Sequence, residues 1–340
     1  MAKKDILKDL GAYGVNVLRK GSDTRRPDLI PTGIPSLDII TGGGWPRGRA
    51  LEYFGPEGSG KSTLALLAIA EAQKLGLSCV YIDLERTYDP DYSATLGVDN
   101  DMVIAPTFDD GESAIDAAIM MVDRWEEVAE KMGMSKELGI VVIDSVAALL
   151  PRAEKDAEMG DSHVGLMGRM TSKASRILTP LLADRNVTIL YINQLRGTIN
   201  SGPFAPKTGT TGGNAIKYYA SSRVDIRRIG QIKFKDDVVG AKIKILLKKD
   251  KIGGNESKHT TVDMFHGKGF SIIGDLIEIS IEKGLTKKGG AWYNYKDQKF
   301  QGVENMKAWL KDNPEELEQL RHAIREVHND PKKKGTKKAT

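Results

Sequence analysis

Short apolar runs alternate with helical patterns along most of the chain. The strand-like runs cover residues 51–54, 79–84, 140–143, 188–193, 223–228, 242–247 and 260–265. Helical periodicity covers residues 61–76, 111–131 and 164–185, between the earlier runs. Strands that alternate with helices indicate an α/β fold, with a largely parallel, twisted sheet that helices cover on both faces. Such sheets bind their ligands beyond the carboxyl ends of the strands.

The two ends of the chain differ from this alternating region. Residues 3–20 predict a short helix, and residues 21–35, which are polar and contain three prolines, predict a linker. The helix packs either on its own core or on a neighbouring subunit, and its residues favour neither. Residues 267–327 predict a small α+β domain, and the lysine-rich residues 331–340 predict a disordered tail. We therefore expect a helix with its linker, a large α/β core, a small C-terminal domain and a basic tail, at residues 1–31, 32–266, 267–330 and 331–340.

The composition excludes several classes of protein. Of the 340 residues, 40% are hydrophobic, which suffices for the core of a globular protein. The single cysteine, Cys79, permits neither an internal disulfide nor a thiolate metal site, so a reducing cytoplasm is the simplest location. No apolar run approaches the roughly twenty residues of a membrane span, and the charged N-terminus lacks a signal peptide's apolar region. The net charge of +4 permits a polyanionic partner without requiring one.

A glycine-rich segment joins the first strand-like run to the first helical pattern. It has the spacing G-x-x-x-x-G-K-S in the strand–loop–helix context of a P-loop nucleotide site. Its glycines let successive backbone N–H groups face a phosphate chain, toward which the following helix directs its positive end. A chance glycine turn is the alternative, but the spacing, the Lys-Ser pair and the flanking elements argue against it. The phosphate-binding candidates are Gly55, Pro56, Glu57, Gly58, Ser59, Gly60, Lys61, Ser62 and Thr63.

Two of these candidates and one strand-end carboxylate predict a metal-assisted phosphate site. Lys61 can reach the β- and γ-phosphates, and the Ser62 hydroxyl can bind Mg²⁺. The run 140–143 ends at Asp144, in the form of a Walker B strand, and this carboxylate would hold the magnesium directly or through water. A cap for the following turn is the alternative role for Asp144.

Polar residues at the ends of two further runs predict the groups that act on the γ-phosphate. Glu85 follows the run 79–84 and could orient or deprotonate a water molecule for in-line attack, although Asp83 competes for this role. Gln194 follows the run 188–193, and its amide could bond a γ-phosphate oxygen and lose that bond after hydrolysis.

Candidate nucleic-acid contacts follow Gln194. Residues 195–213 form a long aperiodic segment with Arg196 and Lys207 for phosphates and Phe204 for stacking or wedging. This composition suits a mobile loop that becomes ordered on a polymer, and an active-site lid is the alternative. A basic helical stripe and a lysine pair at a strand end could also contact phosphates, or could simply be solvated: Arg169, Lys173 and Arg176, with Lys249 and Lys251.

Several of these segments stand in a family-specific order. They are GPEGSGKS, IDLERTYDP, VVIDSVAALLPRAE, GDSH, INQLR, TTGGNAIKYYAS, RVDIRRIG and GAWYNYKDQKFQG. Over residues 32–328 the chain resembles the bacterial RecA recombinase family. The resemblance implies an ATP- and Mg²⁺-dependent enzyme that forms a helical filament on single-stranded DNA, exchanges strands with homologous duplex DNA and acts in DNA repair and the SOS response. Repressor and mediator proteins are further partners that the family implies, whereas membranes are not.

The same resemblance assigns roles to single residues. It implies that Glu85 is the catalytic carboxylate, that Gln194 senses the γ-phosphate, and that Asp89 and Tyr92 contact adenine, Tyr92 by stacking. The implied DNA contacts are the loops 154–163 and 195–213 and the residues Arg169, Ser172, Arg176, Gly212, Gly213 and Asn214.

Lys249 and Lys251 match a pair that reaches the ATP of the neighbouring subunit, so the resemblance implies that each active site lies between subunits. A head-to-tail contact of this kind that does not close produces an open helix.

Three departures from the family qualify this interpretation. The segment before the core is shorter, which puts the usual subunit-bridging strand in doubt, and the second DNA loop diverges in its middle. The tail is basic where the family's is commonly acidic, so it would attract phosphates. Both a cellular and a phage-encoded source stay open. A ring-forming helicase-type motor and a regulatory DNA-binding scaffold are the competing hypotheses, although the small C-terminal domain and the GDSH and TTGGN segments favour a recombinase over a ring.

Overall fold

The computed structural model describes residues 26–158, 165–197, 208–254 and 256–329. The predicted N-terminal helix and the basic tail lie outside the described residues. The same holds for the whole GDSH segment and for the middle of the second loop, with Phe204 and Lys207. The side chain of Arg196 also lies outside them.

Strands and helices alternate through the first part of the described chain. The strands are β1 (Leu29–Ile30), β2 (Trp45–Pro46), β3 (Ala50–Gly55), β4 (Ser78–Asp83), β5 (Val103–Ile104), β6 (Leu138–Asp144), β7 (Thr188–Gly197), β8 (Thr208–Thr210), β9 (Ser222–Phe234), β10 (Asp237–Asp250), β11 (His259–Phe265), β12 (Gly269–Phe270), β13 (Thr286–Gly289), β14 (Trp292–Tyr295) and β15 (Gln298–Gln301). The α-helices are α1 (Pro35–Thr41), α2 (Lys61–Lys74), α3 (Pro90–Thr95), α4 (Gly111–Asp123), α5 (Trp125–Met132), α6 (Arg152–Lys155), α7 (Leu166–Arg185), α8 (Ala215–Tyr219), α9 (Ile272–Glu282), α10 (Val303–Asp312) and α11 (Pro314–Asn329).

One large sheet organises the core. Within the described residues its strand order is β12-β11-β10-β9-β3-β7-β6-β4-β5, and β8 pairs with the end of β7. The strands from β9 to β5 are parallel, so their carboxyl ends share one edge. The strands from β9 to β12 are antiparallel, because β9 and β10 form a long hairpin without a crossover helix. The sheet is therefore parallel only in the part that carries the P-loop.

Helices cover both faces of this sheet, as the alternating pattern predicts. Side chains of α2 pack against one face, where Ile140 and Leu190 belong to the same apolar cluster. Side chains of α4, α5 and α7 pack against the other face, with Val141 and Ile189. Because neighbouring residues of a strand point to opposite faces, a continuous apolar run such as that of β6 is buried on both sides.

The predicted linker is wrong where the structure describes it. Ile30 and Ile34 are fully buried, and β1 pairs with β2. The polar, proline-rich composition of this segment gave no sign of the strand, because only two residues form it. The pairing partner of Ile30 is Trp45, which lies fifteen positions later in the sequence. The core of the molecule therefore begins before the expected boundary at residue 32.

Two other predicted elements also differ from the structure. The single helix expected over residues 111–131 is divided between α4 and α5, where Arg124 adopts φ −120° and ψ 32° and leaves the helical region. The aperiodic loop expected over residues 195–213 begins and ends in an antiparallel pairing of β7 with β8. The loop therefore starts from a short, ordered stem.

A smaller unit follows the large sheet. Strands β13, β14 and β15 form an antiparallel sheet, which packs with α9, α10 and α11 around a separate apolar cluster. It contacts the core through α1, where Asp275 accepts a hydrogen bond from the backbone N–H of Ser36 at 2.8 Å. Burial raises the pKa of Asp275 to about 6, against the opposing effect of the bonds from Ser36.

Candidate functional site

The glycine-rich segment forms a cradle at the carboxyl end of β3. Gly58 and Gly60 have φ values of 65° and 91°, a region that residues with a Cβ rarely occupy, and α2 starts directly after Gly60. A Cβ on Gly55 would lie 2.0 Å from the carbonyl oxygen of Ile226, so only glycine fits at this close approach. The Ser59 hydroxyl is buried and has no hydrogen-bond partner among the described residues. A cradle of N–H groups with an unsatisfied hydroxyl fits a phosphate chain.

Lys61 lies within this cradle rather than in solvent. Its Nζ donates to the carbonyl oxygens of Pro56 at 2.7 Å and Gly55 at 3.3 Å. Burial lowers the pKa of Lys61, although the nearby carboxylates of Asp144 and Glu85 oppose this effect. An ammonium group held by loop carbonyls at the start of α2 can transfer its hydrogen bonds to incoming phosphate oxygens.

The two residues predicted to bind magnesium contact each other. Asp144 Oδ2 accepts hydrogen bonds from the Ser62 hydroxyl at 2.7 Å and from the Tyr81 hydroxyl at 2.5 Å. Burial raises the pKa of Asp144, against the opposing effect of these two hydrogen bonds. One carboxylate and one hydroxyl beside a phosphate cradle are oxygen ligands of the kind that Mg²⁺ takes in nucleotide sites, so the residues present fit the ion.

The carboxylates that competed for the catalytic role have different surroundings. Asp83 is buried and accepts hydrogen bonds from the backbone N–H groups of Thr87 at 3.1 Å and Tyr88 at 2.9 Å. Glu85 is exposed at the strand edge, on the side of the P-loop lysine whose pKa it influences. The geometry therefore favours Glu85, because Asp83 is already used to hold the turn after β4.

Glu85 and Gln194 meet at the edge of the sheet. The Oε1 atom of Glu85 accepts a hydrogen bond from the Gln194 side-chain amide at 3.3 Å and another from the Ser145 hydroxyl. Ser145 and Tyr81 were not predicted as site residues. Ser145 directly follows Asp144, and Tyr81 lies two residues before Asp83. These positions near strand ends were the available signal, but the partners of both residues come from other strands and cannot be read from spacing.

The two adenine candidates flank α3. Asp89 caps this helix by accepting hydrogen bonds from the backbone N–H groups of Asp91 and Tyr92. The Tyr92 hydroxyl lies 3.0 Å from the Thr63 hydroxyl of the P-loop helix. The structure thus brings Tyr92 to the P-loop, and Asp89 fixes the helix that carries it.

Lys249 and Lys251 do not join the P-loop of their own chain. The backbone N–H of Lys251 donates to Ser221, and the N–H of Ser221 donates to Ala50, the first residue of β3. The P-loop follows the last residue of β3, about 17 Å away along a strand of this length. The pair therefore lies at the opposite edge of the sheet.

The lysine pair is held together at that edge. Lys249 Nζ donates to the carbonyl oxygens of Lys217 at 2.8 Å and Tyr218 at 3.0 Å, and Lys251 Nζ donates to the same Tyr218 oxygen at 3.2 Å. Burial, followed by the charges of Lys251 and Arg223, lowers the pKa of Lys249 to about 8. Two ammonium groups held this close repel each other, so the pair favours the binding of an anion.

Most of the predicted DNA contacts converge on α7. Arg169 and Arg176 are exposed on this helix, and Ser172 is half-buried. The end of the second loop packs against the same helix, because Thr171 donates a hydrogen bond from its hydroxyl to the Gly212 carbonyl at 2.7 Å. The exposed Gly213 and Asn214 follow directly. The arrangement is a basic helix face beside exposed backbone, which suits contacts to phosphates.

This DNA candidate lies next to the nucleotide site. A Cβ on Gly212 would lie 2.9 Å from a methyl group of Val146, which follows Asp144 and Ser145. Asn193 precedes Gln194 and donates a hydrogen bond to the Thr211 carbonyl at 2.9 Å. The end of the second loop therefore contacts Asn193, which precedes Gln194, and lies against Val146, which follows Ser145, the hydrogen-bond donor to Glu85.

Among the described residues, no helix combines the length and the apolar composition that crossing a bilayer requires.

Comparisons with known proteins agree with this geometry. A family model described as the RecA N-terminal domain matches residues 1–271, and one described as the RecA C-terminal domain matches residues 274–329. "Protein RecA" of Nocardioides sp. is 45% identical over 314 residues, which cover 92% of this chain and 86% of that protein. "Protein RecA" of Geobacter metallireducens is 42% identical over 343 residues, which cover 100% of this chain and 97% of that protein.

A solved structure gives the fold alone. The crystal structure of the RadB recombinase matches with a TM-score of 0.51 and 20% sequence identity, and the match covers 71% of this chain and 98% of that chain. The large sheet with its P-loop is thus a recombinase-like fold.

Proposed function

The chain belongs to the RecA family of recombinases, and from this premise we propose that it assembles on single-stranded DNA as a helical filament. In that filament it pairs the strand with homologous duplex DNA, exchanges strands and hydrolyses Mg²⁺-ATP on DNA. Family membership supports DNA recombination and repair as its role, with ATP and DNA as its ligands. A reducing cytoplasm suits its cysteine, Cys79, which is fully buried.

One observation supports this proposal most strongly, namely the adjacency of Asn193 and Gln194. The Gln194 side chain contacts the catalytic candidate Glu85, while the Asn193 side chain holds Thr211 at the end of the second loop. A change at the γ-phosphate can therefore reach the DNA candidate through two consecutive residues of β7. This link gives the state of the nucleotide a route to the residues proposed to contact DNA.

Each residue of the site has a distinct part in the proposed hydrolysis. The backbone of the P-loop and Lys61 bind the phosphates, and Ser62 with Asp144 would hold Mg²⁺, which neutralises charge that develops on the phosphates. Glu85 orients the attacking water and accepts its proton. Gln194 leaves Glu85 to bond a γ-phosphate oxygen, and this bond is lost with the γ-phosphate.

The lysine pair supports a site shared between protomers. Lys249 and Lys251 lie too far from their own P-loop to serve it, yet they are placed together at an edge that can face a neighbour. A head-to-tail contact would bring them to the nucleotide of the next protomer, and repetition of this contact produces an open helix.

Measuring ATP hydrolysis with and without single-stranded DNA tests the proposal. We expect DNA to stimulate the wild-type protein and the Lys61→Ala variant to lose hydrolysis, because the phosphates lose their ammonium ligand. Lys74→Ala is the matched control, since Lys74 lies at the exposed end of the same helix. The proposal would be refuted if DNA did not change the rate of ATP hydrolysis, or if Lys61→Ala still hydrolysed ATP.

Mixing two inactive variants tests the shared site in the same assay. Lys61→Ala lacks a working P-loop, and the double variant Lys249→Ala/Lys251→Ala lacks the lysines that the neighbour needs. In a random equimolar filament, about a quarter of the contacts pair an intact P-loop with intact lysines. Mixing should therefore restore up to about a quarter of the wild-type rate, whereas lysines that serve their own protomer would restore none.

Two further measurements separate the alternatives. Electron microscopy with single-stranded DNA and a non-hydrolysable ATP analogue distinguishes an open helix from the closed ring of a helicase-type motor. Strand exchange between circular single strands and homologous linear duplex distinguishes a recombinase from a DNA-binding scaffold.

A further inference from the structure

A fully buried carboxylate lies in the sheet next to the nucleotide site. Glu52, the third residue of β3, is completely inaccessible to solvent. Its Oε1 accepts a hydrogen bond from Asn193 Nδ2 at 2.9 Å, and its Oε2 accepts one from Arg223 Nε at 2.5 Å. Burial of a charge is costly unless the charge is paired and hydrogen-bonded, so both contacts are needed to keep it there. Each oxygen of Glu52 thus holds a different neighbouring strand, β7 through Asn193 and β9 through Arg223.

The Asn193 side chain has its orientation fixed by three partners. Its two N–H donors go to Glu52 and to the Thr211 carbonyl, each at 2.9 Å, and its oxygen accepts the backbone N–H of Gln194 at 2.9 Å. A flipped amide would place donors against donors and acceptors against acceptors. Asn193 therefore joins Glu52 to the end of the second loop and to the γ-phosphate sensor.

The Arg223 side chain connects Glu52 to the opposite edge of the sheet. Arg223 is paired with Lys249 in the register of β9 and β10, and its guanidinium lies 4.6 Å above the ring of Phe54. Residues that are paired across two strands project to the same face of the sheet, so the Lys249 and Arg223 side chains lie on one face. An anion that arrives at Lys249 therefore lies on the same face as the Arg223–Glu52 pair and adds its charge there.

We propose that Glu52 is a positioning residue that couples successive nucleotide sites along the filament. Through Arg223 it responds to the edge where Lys249 faces the neighbour's nucleotide, and through Asn193 it sets Gln194 and the end of the second loop. This inference rests on the proposed function, because it requires the lysines of one protomer to face the nucleotide of the next. Glu52 contacts neither nucleotide nor DNA and acts only through its two partners.

Substitution of Glu52 by glutamine separates this role from simple packing. The side chain keeps its shape, but an amide has one acceptor atom where the carboxylate has two, so a donor must face either Asn193 or Arg223. We expect a non-hydrolysable ATP analogue to bind within about twofold of wild type. The DNA-stimulated rate should fall about 10- to 100-fold, the range for one lost hydrogen bond to a charged group. The Hill coefficient for ATP should fall toward 1, because the sites no longer communicate.

Two companion variants keep the test decisive. Glu127→Gln removes an exposed carboxylate that pairs with Arg124, and it should leave the rate and the Hill coefficient unchanged. Arg223→Lys keeps a cation beside Glu52 but loses the guanidinium over Phe54, and it should also lower the Hill coefficient. If Glu52→Gln does not fold, the Arg223→Lys result decides the question.

The possible outcomes distinguish this inference from the proposed function. Folded Glu52→Gln or Arg223→Lys with wild-type cooperativity and DNA stimulation would overturn the coupling role. Equal losses of analogue binding and of rate, with an unchanged Hill coefficient, would also overturn it, because they indicate a packing role only. A wild-type protein that DNA does not stimulate would instead refute the proposed function.

Discussion

At the scale of single residues, chemistry at the strand ends depends on which polar groups are already occupied. Asp83 and Glu85 follow the same strand and carry the same functional group. Asp83 is buried and satisfied by two backbone N–H groups, whereas Glu85 is exposed and contacts side chains from two other strands. The neighbourhood of each carboxylate, more than its position in the sequence, assigns its task.

Exchanging each carboxylate for its amide tests this assignment. Glu85→Gln should bind ATP normally but hydrolyse it about 10²- to 10⁴-fold more slowly, because the amide cannot accept a proton from water. Asp83→Asn should instead lower the free energy of unfolding by about 1–3 kcal/mol, since one backbone N–H loses its acceptor. Analogue binding, single-turnover hydrolysis and thermal unfolding of both variants distinguish the two effects. A greater loss of hydrolysis in a folded Asp83→Asn would reverse the assignment.

The sequence alone identified those site residues that lie close to one another along the chain. The P-loop residues from Gly55 to Thr63 follow one another, so their motif predicts both the cradle and the helix that begins at Lys61. Glu52, Tyr81 and Ser145 escaped prediction because their partners lie on other strands. The position of Glu52 inside an apolar run was the only local sign that it forms a buried pair with Arg223.

At the scale of elements, the second loop depends on a tight junction with α7. Gly212 has a φ of +83°, and a Cβ there would lie 2.9 Å from a methyl group of Val146. The carbonyl of Gly212 also accepts the hydrogen bond from Thr171. Both the backbone conformation and the lack of space therefore require glycine where the loop meets the helix.

Substitution of Gly212 by alanine tests this junction. We expect the affinity for single-stranded DNA in the presence of an ATP analogue to fall about 10-fold or more, because the loop end shifts away from α7. Gly133→Ala is the matched control: its φ of +66° imposes similar strain, but nothing lies within 4 Å of the new Cβ. Fluorescence anisotropy with labelled DNA measures both variants. Equal DNA affinities of Gly212→Ala and Gly133→Ala would contradict the claim that this junction requires glycine.

Prediction of elements succeeded where periodicity continued over a whole element. Helices α2 and α7 and the buried strands β3, β4 and β6 lie where the apolar pattern places them. Strand β1 was missed because two residues give no period, and the division after α4 was missed because Arg124 interrupts the backbone without interrupting the amphipathic pattern.

At the scale of the whole molecule, the sheet separates two groups of candidate residues. The P-loop lies at the carboxyl end of β3, whereas Lys249 and Lys251 lie beside its first residue. Between them, the buried Glu52 connects the two edges through Arg223 and Asn193. In the proposed filament, a protomer of this design would contribute parts of two sites, and repetition of the contact would complete both. The contacts of Glu52 with Asn193 and Arg223 were not predictable, because they join residues that are 141 and 171 positions apart.

The most direct test of the account is the affinity of the purified protein for single-stranded DNA in three nucleotide states. Titrations without nucleotide, with ADP and with a non-hydrolysable ATP analogue should be made at one fixed salt concentration, because phosphate contacts depend on salt. The account predicts tight binding only with the analogue, since only a γ-phosphate draws Gln194 from Glu85 and sets the loop that Asn193 holds. Equal affinity in all three states would contradict it.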